Sequence, residues 1–329
     1  MIRGKRILVT GGAGFIGSHL AERLCQDNDV VVIDNLSAGY ERNLSEFGEN
    51  VDFVEADIRD NKTLREVLRD VDVVFHCAAQ VSVEKSVENP LETNEINVEG
   101  TLRLLWECKR SGVGRLIFPS SAAVYGFSPE IPKREDMHLE PESPYAASKI
   151  MGEQYCRLFD ALYDLPTVVL RCFNVYGPRQ NESSPYASVI PRFISAILKG
   201  EKPKIFGNGK QTRDFIFIDD VVKAFLLAAT KEDARGQIFN IASGKSMNIL
   251  DLLKKLGGIF GKKIEPEFEA ERPGDVRYSL ADITKASTTL GFLPRIKPAD
   301  GLRRTVGYFK RPVDCSWIRT QEKDADVGL

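Results

Sequence analysis

Short apolar runs alternate with amphipathic stretches through the first half of the chain. The runs are rich in β-branched and aromatic residues, and the stretches between them carry apolar residues at helical spacing. The runs are residues 6–9, 30–33, 51–54, 71–75, 116–118, 168–170 and 238–241, and the helical stretches are 16–25, 62–68, 98–108 and 144–163. Wholly apolar strands interleaved with helices are typical of βαβ units. The pattern predicts an α/β fold, a Rossmann-type doubly wound parallel sheet.

The composition of the sequence changes after about residue 175. Segments such as GPRQNESSPY and KIFGNGKQTRDF are rich in Gly, Pro and polar residues. We predict that residues 1–175, together with about 215–241, form the sheet domain. Residues 176–214 and 242–312 form a smaller α/β lobe that binds the substrate, and residues 313–329 form a loose tail.

A glycine-rich turn follows the first apolar run, in TGGAGFIGSHL. Gly11 allows the tight turn, Gly14 lets the backbone approach a pyrophosphate, and Gly17 lets helix and strand pack closely. The spacing is GxxGxxG, not the commoner GxGxxG. Asp34 ends the second run, where a carboxylate can accept hydrogen bonds from ribose hydroxyls. Since Asn35 follows and not a basic residue, the sequence favours NAD over NADP.

Residues at the ends of later strands extend this predicted cofactor site. Asp57 and Ile58 follow the third run, and Ala78 and Ala79 follow the fourth. Because the carboxyl ends of parallel strands share one edge of the sheet, we expect these four residues to flank the adenine and the nicotinamide ribose.

A second constellation suits proton transfer. Tyr145 and Lys149 form YAASK, a spacing that puts both side chains on one helical face. A tyrosine has a pKa near 10, and a nearby ammonium together with a nicotinamide cation favours the phenolate. Tyr145 is therefore a candidate general base for a hydroxyl and general acid for a carbonyl. Ser121, just past the fifth strand, is expected to hydrogen-bond the same reacting oxygen.

Taken jointly, the motifs resemble the extended short-chain dehydrogenase/reductase family up to about residue 312, and within it the nucleotide-sugar 4-epimerases. The matching stretches are TGGAGFIGSHL, DNLS, HCAAQ, INVEGTL, SSAAVYG, SPYAASK, RCFNVYGPRQ, RDFIFIDD and RPGDVRYSLADITKA. The resemblance implies NAD as cofactor, a UDP-sugar as substrate and Ser121, Tyr145 and Lys149 as the catalytic trio. It adds Phe15, Ile16, Gln80, Asn97, Tyr145 and Lys149 to the cofactor site. The substrate residues that it implies are Ser82, Ser121, Asn174, Val189, Arg213, Arg272, Asp275 and Ser279.

Two positions bear on the reaction. Related dehydratases and decarboxylases have an acidic residue within the two positions after the catalytic Ser or Thr, whereas this chain has Ala122 and Ala123. The resemblance therefore implies C4 epimerisation, in which Tyr145 removes and returns one proton through a 4-keto sugar. Ser279 is small, whereas the glucose-restricted epimerases that the sequence resembles have a bulky tyrosine at this position. The resemblance therefore favours an N-acetylated sugar as the substrate.

Three alternatives stay open. A UDP-glucuronate 4-epimerase would need a cation in the sugar pocket, for which Arg192 and Lys204 are candidates. A nucleotide-sugar reductase would exchange its cofactor. A non-catalytic cofactor-sensing protein would keep the fold, but it would have no need of the intact Ser121, Tyr145 and Lys149.

Composition excludes several other classes. Lys and Arg total 45 against 47 for Asp and Glu, which gives no reason to expect a nucleic-acid partner. Residues 1–170 hold 18 basic against 28 acidic residues, whereas 171–329 hold 27 against 19, so the later part suits an anionic ligand. No apolar run approaches the roughly 20 residues of a membrane span. The basic start runs directly into the glycine turn, which does not fit a signal peptide.

The six cysteines lie far apart along the sequence, which fits thiols in a reducing compartment better than a disulfide framework. These thiols predict a cytoplasmic protein, and with no CxxC pair and only three histidines the chain is predicted to have no metal site. Members of the family that this sequence resembles commonly dimerise through two long helices. The candidates here are residues 98–109 and 144–163, which imply a homodimer.

Overall fold

A computed structural model describes residues 2–181, 188–271 and 277–311. The strands are β1 (Arg6–Thr10), β2 (Asp29–Asp34), β3 (Asp52–Glu55), β4 (Val73–His76), β5 (Arg115–Ser121), β6 (Thr167–Cys172), β7 (Val175–Tyr176), β8 (Lys204–Phe206), β9 (Thr212–Asp214), β10 (Ile216–Phe217), β11 (Ile238–Ile241), β12 (Ser246–Asn248) and β13 (Glu267–Glu269). The helices are α1 (Phe15–Leu24), α2 (Asn61–Val67), α3 (Val83–Glu88), α4 (Pro90–Asn94), α5 (Thr101–Ser111), α6 (Pro144–Tyr163), α7 (Val189–Lys199), α8 (Ile218–Thr230), α9 (Ile249–Phe260) and α10 (Pro298–Phe309).

In the part of the chain that the structure describes, seven strands form one parallel sheet in the order β11-β6-β5-β4-β1-β2-β3. The strand order reverses between β1 and β4, which pair in register from Ile7 opposite Val73 to Thr10 opposite His76. This reversal is the topological switch point at which α/β sheets bind ligands, beyond the carboxyl ends of the strands. The predicted doubly wound parallel sheet is confirmed, and each predicted run coincides with a strand to within a few residues.

Both faces of the sheet are buried, as the unbroken apolar runs require. On one face, side chains such as Val9 and Val32 pack with α1 and α8 in a cluster that continues into α7, α9 and α10. On the other face, alternate side chains such as Leu8 and Val31 pack with α2, α5 and α6.

Within residues 2–181, 188–271 and 277–311, three two-stranded sheets lie outside the main sheet. β10 pairs with β7 and β13 with β8, both parallel, whereas β12 pairs antiparallel with β9. The sheets β9–β12 and β8–β13 lie in residues predicted for the smaller lobe, whereas β10 lies within 215–241, which the sequence assigns to the sheet domain. Because one apolar cluster joins the main sheet to α7, α9 and α10, the residue limits of the two domains stay a prediction. Among the helices in the described ranges, none is both long and apolar enough to cross a membrane.

Candidate active site

The glycine turn between β1 and α1 is built by close backbone approach. Gly11 has a φ of +65°, and a Cβ there would lie 2.6 Å from the backbone nitrogen of Ala78. A Cβ at Gly17 would lie 2.2 Å from the carbonyl oxygen of Gly11. Glycine is therefore required at both positions. Helix α1 begins after Gly14 with an uncharged first turn from Phe15 to Ser18, so its amino terminus suits a pyrophosphate.

Asp34 lies at the end of β2 beside this turn, with its side chain buried. Its Oδ2 accepts a hydrogen bond from the backbone nitrogen of Ala13 at 3.0 Å, and its Oδ1 accepts one from Leu36 at 2.8 Å. Burial raises the pKa of the carboxyl group, and these backbone donors oppose the rise. The turn and the carboxylate thus form a cradle with donors for a pyrophosphate and acceptors for a ribose, which fits a dinucleotide.

Asp57 and Asn35 bind each other at the next strand end. The Arg59 guanidinium donates to both Asp57 oxygens at 2.9 Å, and the Asn35 side-chain amide donates to Oδ2 at 2.8 Å. The hydrogen bonds from Arg59 hold the pKa of Asp57 below its ordinary value. The neighbouring Ile58 is buried, and a Cβ at Gly100 would lie 2.8 Å from its Cδ1. Contacts of these residues with a cofactor stay a prediction.

A relay of hydrogen bonds joins β1 and β4 to the helical segment before α5. Ala78 N donates to Thr10 Oγ1 at 3.2 Å, which leaves the hydroxyl proton of Thr10 for Nδ1 of His76 at 2.8 Å. His76 Nε2 then donates to Thr101 Oγ1 at 2.9 Å, and Thr101 donates to the Asn97 carbonyl at 2.6 Å. Burial lowers the pKa of His76 to about 3. The ring is therefore neutral at physiological pH, as this relay requires.

Asn97 lies in a π-helical turn, Glu95–Gly100, and connects the β4 loop to α6. Its side chain accepts from the Gln80 nitrogen and donates to the Gln80 carbonyl, both at 2.8 Å. It also donates to Ser148 Oγ at 3.0 Å, and Ser148 donates to the Tyr145 carbonyl at 2.7 Å. The predicted cofactor residues Gln80 and Asn97 are thus mutually bound and attached to the helix that carries Tyr145.

The three residues of the predicted catalytic trio lie close together where β5 ends and α6 begins. Ser143 caps α6 by accepting from Ala146, and the Tyr145 nitrogen donates to Ser86 Oγ at 3.1 Å, which fixes the first turn. The Ser121 hydroxyl, at the end of β5, lies near the Tyr145 phenol and lowers its pKa. One turn further on, Lys149 Nζ donates to the Pro119 carbonyl at 2.9 Å. The predicted grouping of Ser121, Tyr145 and Lys149 is therefore present in the structure.

Burial dominates the acid–base properties of this group. It raises the pKa of Tyr145 to about 12, while the Ser121 hydroxyl opposes the rise. Burial also lowers the pKa of Lys149 to about 8. The sequence predicts that the lysine ammonium favours the phenolate. In the structure Lys149 Nζ lies 5.9 Å from the centre of the Tyr145 ring, and burial outweighs attraction between the two groups.

A buried carboxylate organises the predicted substrate side. Asp214, at the end of β9, is fully buried and accepts four hydrogen bonds, two from Ser243 and one each from the Gly244 and Ala281 nitrogens. Its carbonyl accepts from the Asn174 side chain at 3.2 Å. Arg213 precedes it on the same strand and is partly buried. Asp214 therefore holds together the segments that carry Asn174, Arg213 and Ser279.

Other predicted substrate residues have varied surroundings. Ser279 is nearly buried and donates from its nitrogen to the Thr212 carbonyl at 3.2 Å. Ser82 caps α3 by accepting from the Lys85 nitrogen at 3.1 Å, and Val189 is half-buried at the start of α7. Arg272 and Asp275 lie outside the described residues.

Lys204 and Arg192 are the candidates for binding a sugar carboxylate, and both have contacts in or beside β8. Lys204 Nζ lies 2.6 Å from Glu269 Oε1 and is largely exposed, and Glu269 raises the pKa of this lysine. The Arg192 guanidinium lies 5.3 Å from the centre of the Phe206 ring.

Comparison with known proteins agrees with this geometry. A model described as "NAD dependent epimerase/dehydratase family" matches residues 7–242. The chain belongs to this family. Membership confirms the predicted resemblance, the identity of NAD as cofactor and the prediction of an enzyme.

Three of the family's proteins illustrate the likeness. The chain is 42% identical over 311 residues to the UDP-glucose 4-epimerase of Mycolicibacterium smegmatis, covering 93% of this chain and 98% of the relative. The UDP-N-acetylglucosamine 4-epimerase of Methanobrevibacter ruminantium, solved with UDP-N-acetylmuramic acid, is 44% identical with a TM-score of 0.90, covering 94% of this chain and 99% of that one. The UDP-glucose 4-epimerase of Thermotoga maritima, solved with UDP-glucose, is 40% identical with a TM-score of 0.88, covering 92% and 98%.

Sequence reasoning missed several polar residues that shape this family member's site. They are Thr10, His76, Thr101, Asn43 and Asp214, each buried with its side chain hydrogen-bonded. Asn43, for example, donates to the Ala13 carbonyl at 2.8 Å beside the glycine turn. A histidine inside the otherwise apolar run VVFHC is the clearest signal that was available, since a buried imidazole needs partners.

Proposed function

We propose that this protein inverts C4 of a UDP-hexose and holds NAD as a resident cofactor. The observation that carries the proposal is the grouping of Ser121, whose hydroxyl lowers the pKa of the Tyr145 phenol, with Tyr145 and with Lys149 one turn further along α6, at the carboxyl edge of the sheet. Relatives that are 40–44% identical over nearly the whole chain are named as 4-epimerases of UDP-glucose or UDP-N-acetylglucosamine, which supports the same reaction here.

The residues after Ser121 favour epimerisation over elimination or loss of CO₂. Ala122 and Ala123 open a short 3₁₀ turn, Ala122–Tyr125, and both are half-buried. A methyl side chain has no proton to donate or accept, so these positions cannot protonate a leaving hydroxyl. Epimerisation needs no such acid, because a single group can take the C4 hydroxyl proton and return it.

The roles of the chain's own residues follow from their contacts. Tyr145 takes the proton of the C4 hydroxyl and returns it to the 4-keto sugar, while the Ser121 hydroxyl donates to the same oxygen and orients it. Lys149 provides positive charge beneath the phenol, which favours the phenolate during turnover. When bound, NAD⁺ supplies the acceptor and donor of the C4 hydride. The Gly11–Gly17 turn and Asp34 would hold it.

The substrate diphosphate is proposed to bind on the Arg213 side. A guanidinium fork suits diphosphate oxygens, and β9 is held firmly by the Asp214 carboxylate. Asn174 is tied to the same strand. We propose Arg272 and Asp275 as further nucleotide contacts on the strength of the motif RPGDVRY alone.

An N-acetylated sugar is the favoured substrate. Ser279 is small and lies beside Thr212, so it leaves more room than an aromatic side chain would. The relative from Methanobrevibacter ruminantium was solved with UDP-N-acetylmuramic acid, an N-acetylated sugar nucleotide. A glucuronate series is the second candidate, but the ion pair between Lys204 and Glu269 weakens the case for that lysine as a carboxylate ligand.

One assay tests the reaction and ranks the substrates. Purified protein is incubated separately with UDP-glucose, UDP-N-acetylglucosamine and UDP-glucuronate, without added nicotinamide, and C4 inversion is followed by proton NMR. We expect inversion of the first two, faster for UDP-N-acetylglucosamine. A dependence on added nicotinamide would support the reductase alternative, and the absence of inversion with all three would refute the proposal.

We propose that two copies pair through α5 and α6. An apolar surface crosses these helices, with Trp106, Leu158, Leu162 and Tyr163 each 39–68% exposed. The rings of Trp106 and Tyr163 pack edge to face with their centres 5.9 Å apart, so these two side chains hold each other in place on this surface. Arg65, Arg103, Glu107 and Arg110 surround it. Exposed apolar patches with a polar rim are typical of protein interfaces.

The oligomeric state can be tested with a matched pair of charge insertions. Leu158→Glu on α6 is expected to yield monomers by light scattering, whereas Leu198→Glu on α7 is expected to leave the dimer intact. The two leucines are 39% and 41% exposed, so the perturbation is comparable. A monomeric unmodified protein at micromolar concentration would contradict the proposal.

A further inference from the structure

A buried ion pair lies one helical turn beyond Lys149. Glu153, on α6, is 1% exposed, and its two oxygens accept from Nε and Nη2 of Arg171 on β6 at 2.9 and 2.7 Å. Oε1 of Glu153 also accepts from the hydroxyl of Ser120 at 2.5 Å. Since Ser120 directly precedes Ser121, the pair joins the helix that carries Tyr145 to the strand that carries Ser121.

Close packing and hydrogen bonding act together at this junction. A Cβ at Gly152 would lie 2.3 Å from Cζ of Phe118, so the absence of a side chain lets α6 approach β5. The packing sets the distance between helix and strand, and the Ser120–Glu153 bond sets their position along the helix axis. A catalytic hydrogen bond depends on both, because errors of about an ångström are costly in reactive geometry.

Arg171 extends the network across the turn that follows Ser121. Its Nη1 donates at 2.9 Å to the hydroxyl of Tyr125, the last residue of the 3₁₀ turn. The Tyr125 hydroxyl in turn donates to Oδ1 of Asn240, on β11, at 2.7 Å. The turn that begins directly after Ser121 is therefore held at its far end by Arg171.

From Asn240 the bonds reach the segment that carries Ser279. The Asn240 amide donates to the carbonyl oxygens of Lys133 and Asp282 at 2.9 and 3.3 Å. The Lys133 nitrogen donates to the Leu280 carbonyl at 2.8 Å. One continuous set of buried bonds therefore runs from the catalytic helix to the predicted substrate side.

Burying two opposite charges is costly, and well-packed apolar residues often serve stability as well or better. The network therefore contributes more to the relative positions of these side chains than to the free energy of unfolding. We propose that Glu153, Arg171 and Tyr125 are positioning residues that keep the Ser121 hydroxyl aligned with the Tyr145 phenol. This inference rests on the proposed function, since alignment is read through turnover.

Tyr125→Phe tests the inference by removing one hydroxyl and little else. We expect kcat for C4 inversion, measured per bound NAD, to fall about tenfold, or about 1.4 kcal/mol in the transition state, while KM for the UDP-sugar stays within about twofold. The variant loses the bonds of this hydroxyl to Arg171 and Asn240, and with them the alignment of Ser121. Because the Ser121 hydroxyl lowers the pKa of Tyr145, its misalignment should also move the acid limb of the kcat–pH profile to higher pH.

Tyr176→Phe is the matched control, because Tyr176 is also buried but packs on Phe215 and Phe217, in a different apolar cluster from Tyr125. It should keep kcat and the pH profile. A Tyr125→Phe enzyme that loses only thermal stability, with kcat and pH profile unchanged, would overturn the inference. If the unmodified protein shows no C4 inversion, the proposed function fails instead, so the two failures are distinguishable.

The double variant Glu153→Met/Arg171→Met separates positioning from stability. Removing both charges leaves neither ion unpaired, so the protein is expected to fold and to retain NAD. Its kcat should fall at least tenfold. A double variant with the kcat and pH profile of the unmodified protein would also overturn the inference.

Discussion

The Ser121 hydroxyl lowers the pKa of the Tyr145 phenol, although the two residues are 24 positions apart in sequence. The serine lies at the end of β5 and the tyrosine lies in the capped first turn of α6, both at the carboxyl edge of the sheet. In this buried setting the phenol is the proposed proton carrier, and the serine opposes the rise that burial causes in its pKa.

Tyr145→Phe should lower kcat by about 10²- to 10⁴-fold, the usual contribution of a general acid–base group. The glycine turn and Asp34 are unaltered, so the variant should copurify with as much NAD as the unmodified protein. Turnover and NAD content are measured on the same sample. Tyr163→Phe, at an exposed position on the same helix, is the control. Residual activity close to that of the unmodified enzyme would refute the role of Tyr145.

Asp34→Asn should weaken retention of NAD. The side chain loses its charge and one of two acceptors that bind the Ala13 and Leu36 nitrogens. Hydrogen bonds to charged groups contribute about 1.5–3 kcal/mol, so the dissociation constant should rise about tenfold or more. NAD released on denaturation gives the occupancy, and calorimetry gives the affinity. Asp52→Asn, at the exposed start of β3, should retain full occupancy; equal retention by both variants would contradict this reading.

Arg213→Gln should raise KM for the UDP-sugar at least tenfold, with kcat changed only a few-fold. A diphosphate contact remote from C4 contributes to binding more than to the chemical step. Arg235→Gln provides the comparison, because Arg235 forms exposed ion pairs with Asp160 and Asp164 on another surface. An unchanged KM in the Arg213 variant would remove this residue from the substrate site.

His76 should make the protein less stable in acid. Its pKa is about 3 in the folded state against 6.5 for a free imidazole, so the unfolded chain binds more protons between these values. Stability is therefore fully present above pH 6.5 and falls as the pH is lowered towards 3, by at most about 1.4 kcal/mol per pH unit. Urea unfolding of His76→Gln should show a shallower dependence between pH 4 and 6.5. Equal slopes for the two proteins would contradict the neutral relay.

The sequence predicted the elements that rest on local periodicity and on motif spacing. Each main-sheet strand was predicted to within a few residues, and α6 was predicted with both of its ends. The glycine turn, Asp34 and the Ser121–Tyr145–Lys149 set were predicted because each lies at the end of a strand or on one helical face. The short helices α3 and α4 and the two-stranded sheets escaped prediction because they have too few residues to show a period.

Long-range polar contacts could not be predicted from the sequence, for a physical reason. His76 bonds Thr101 across 25 residues, Glu153 bonds Arg171 across 18, and Tyr125 bonds Asn240 across 115. These pairs depend on the order of strands in the sheet, which hydrophobic periodicity does not encode. The effect of burial on the Tyr145 pKa was missed for the same reason, since the depth of the site follows from packing.

The most direct test of the central claim is the fate of deuterium at C4. UDP-N-acetylglucosamine labelled with deuterium at C4 is incubated with the purified enzyme in ordinary water without added nicotinamide, and the product is examined by NMR and mass spectrometry. The account predicts inverted configuration at C4 with the deuterium retained there, because the hydride that leaves C4 returns to it. Unchanged configuration, or inversion with loss of the deuterium to solvent, would contradict the account.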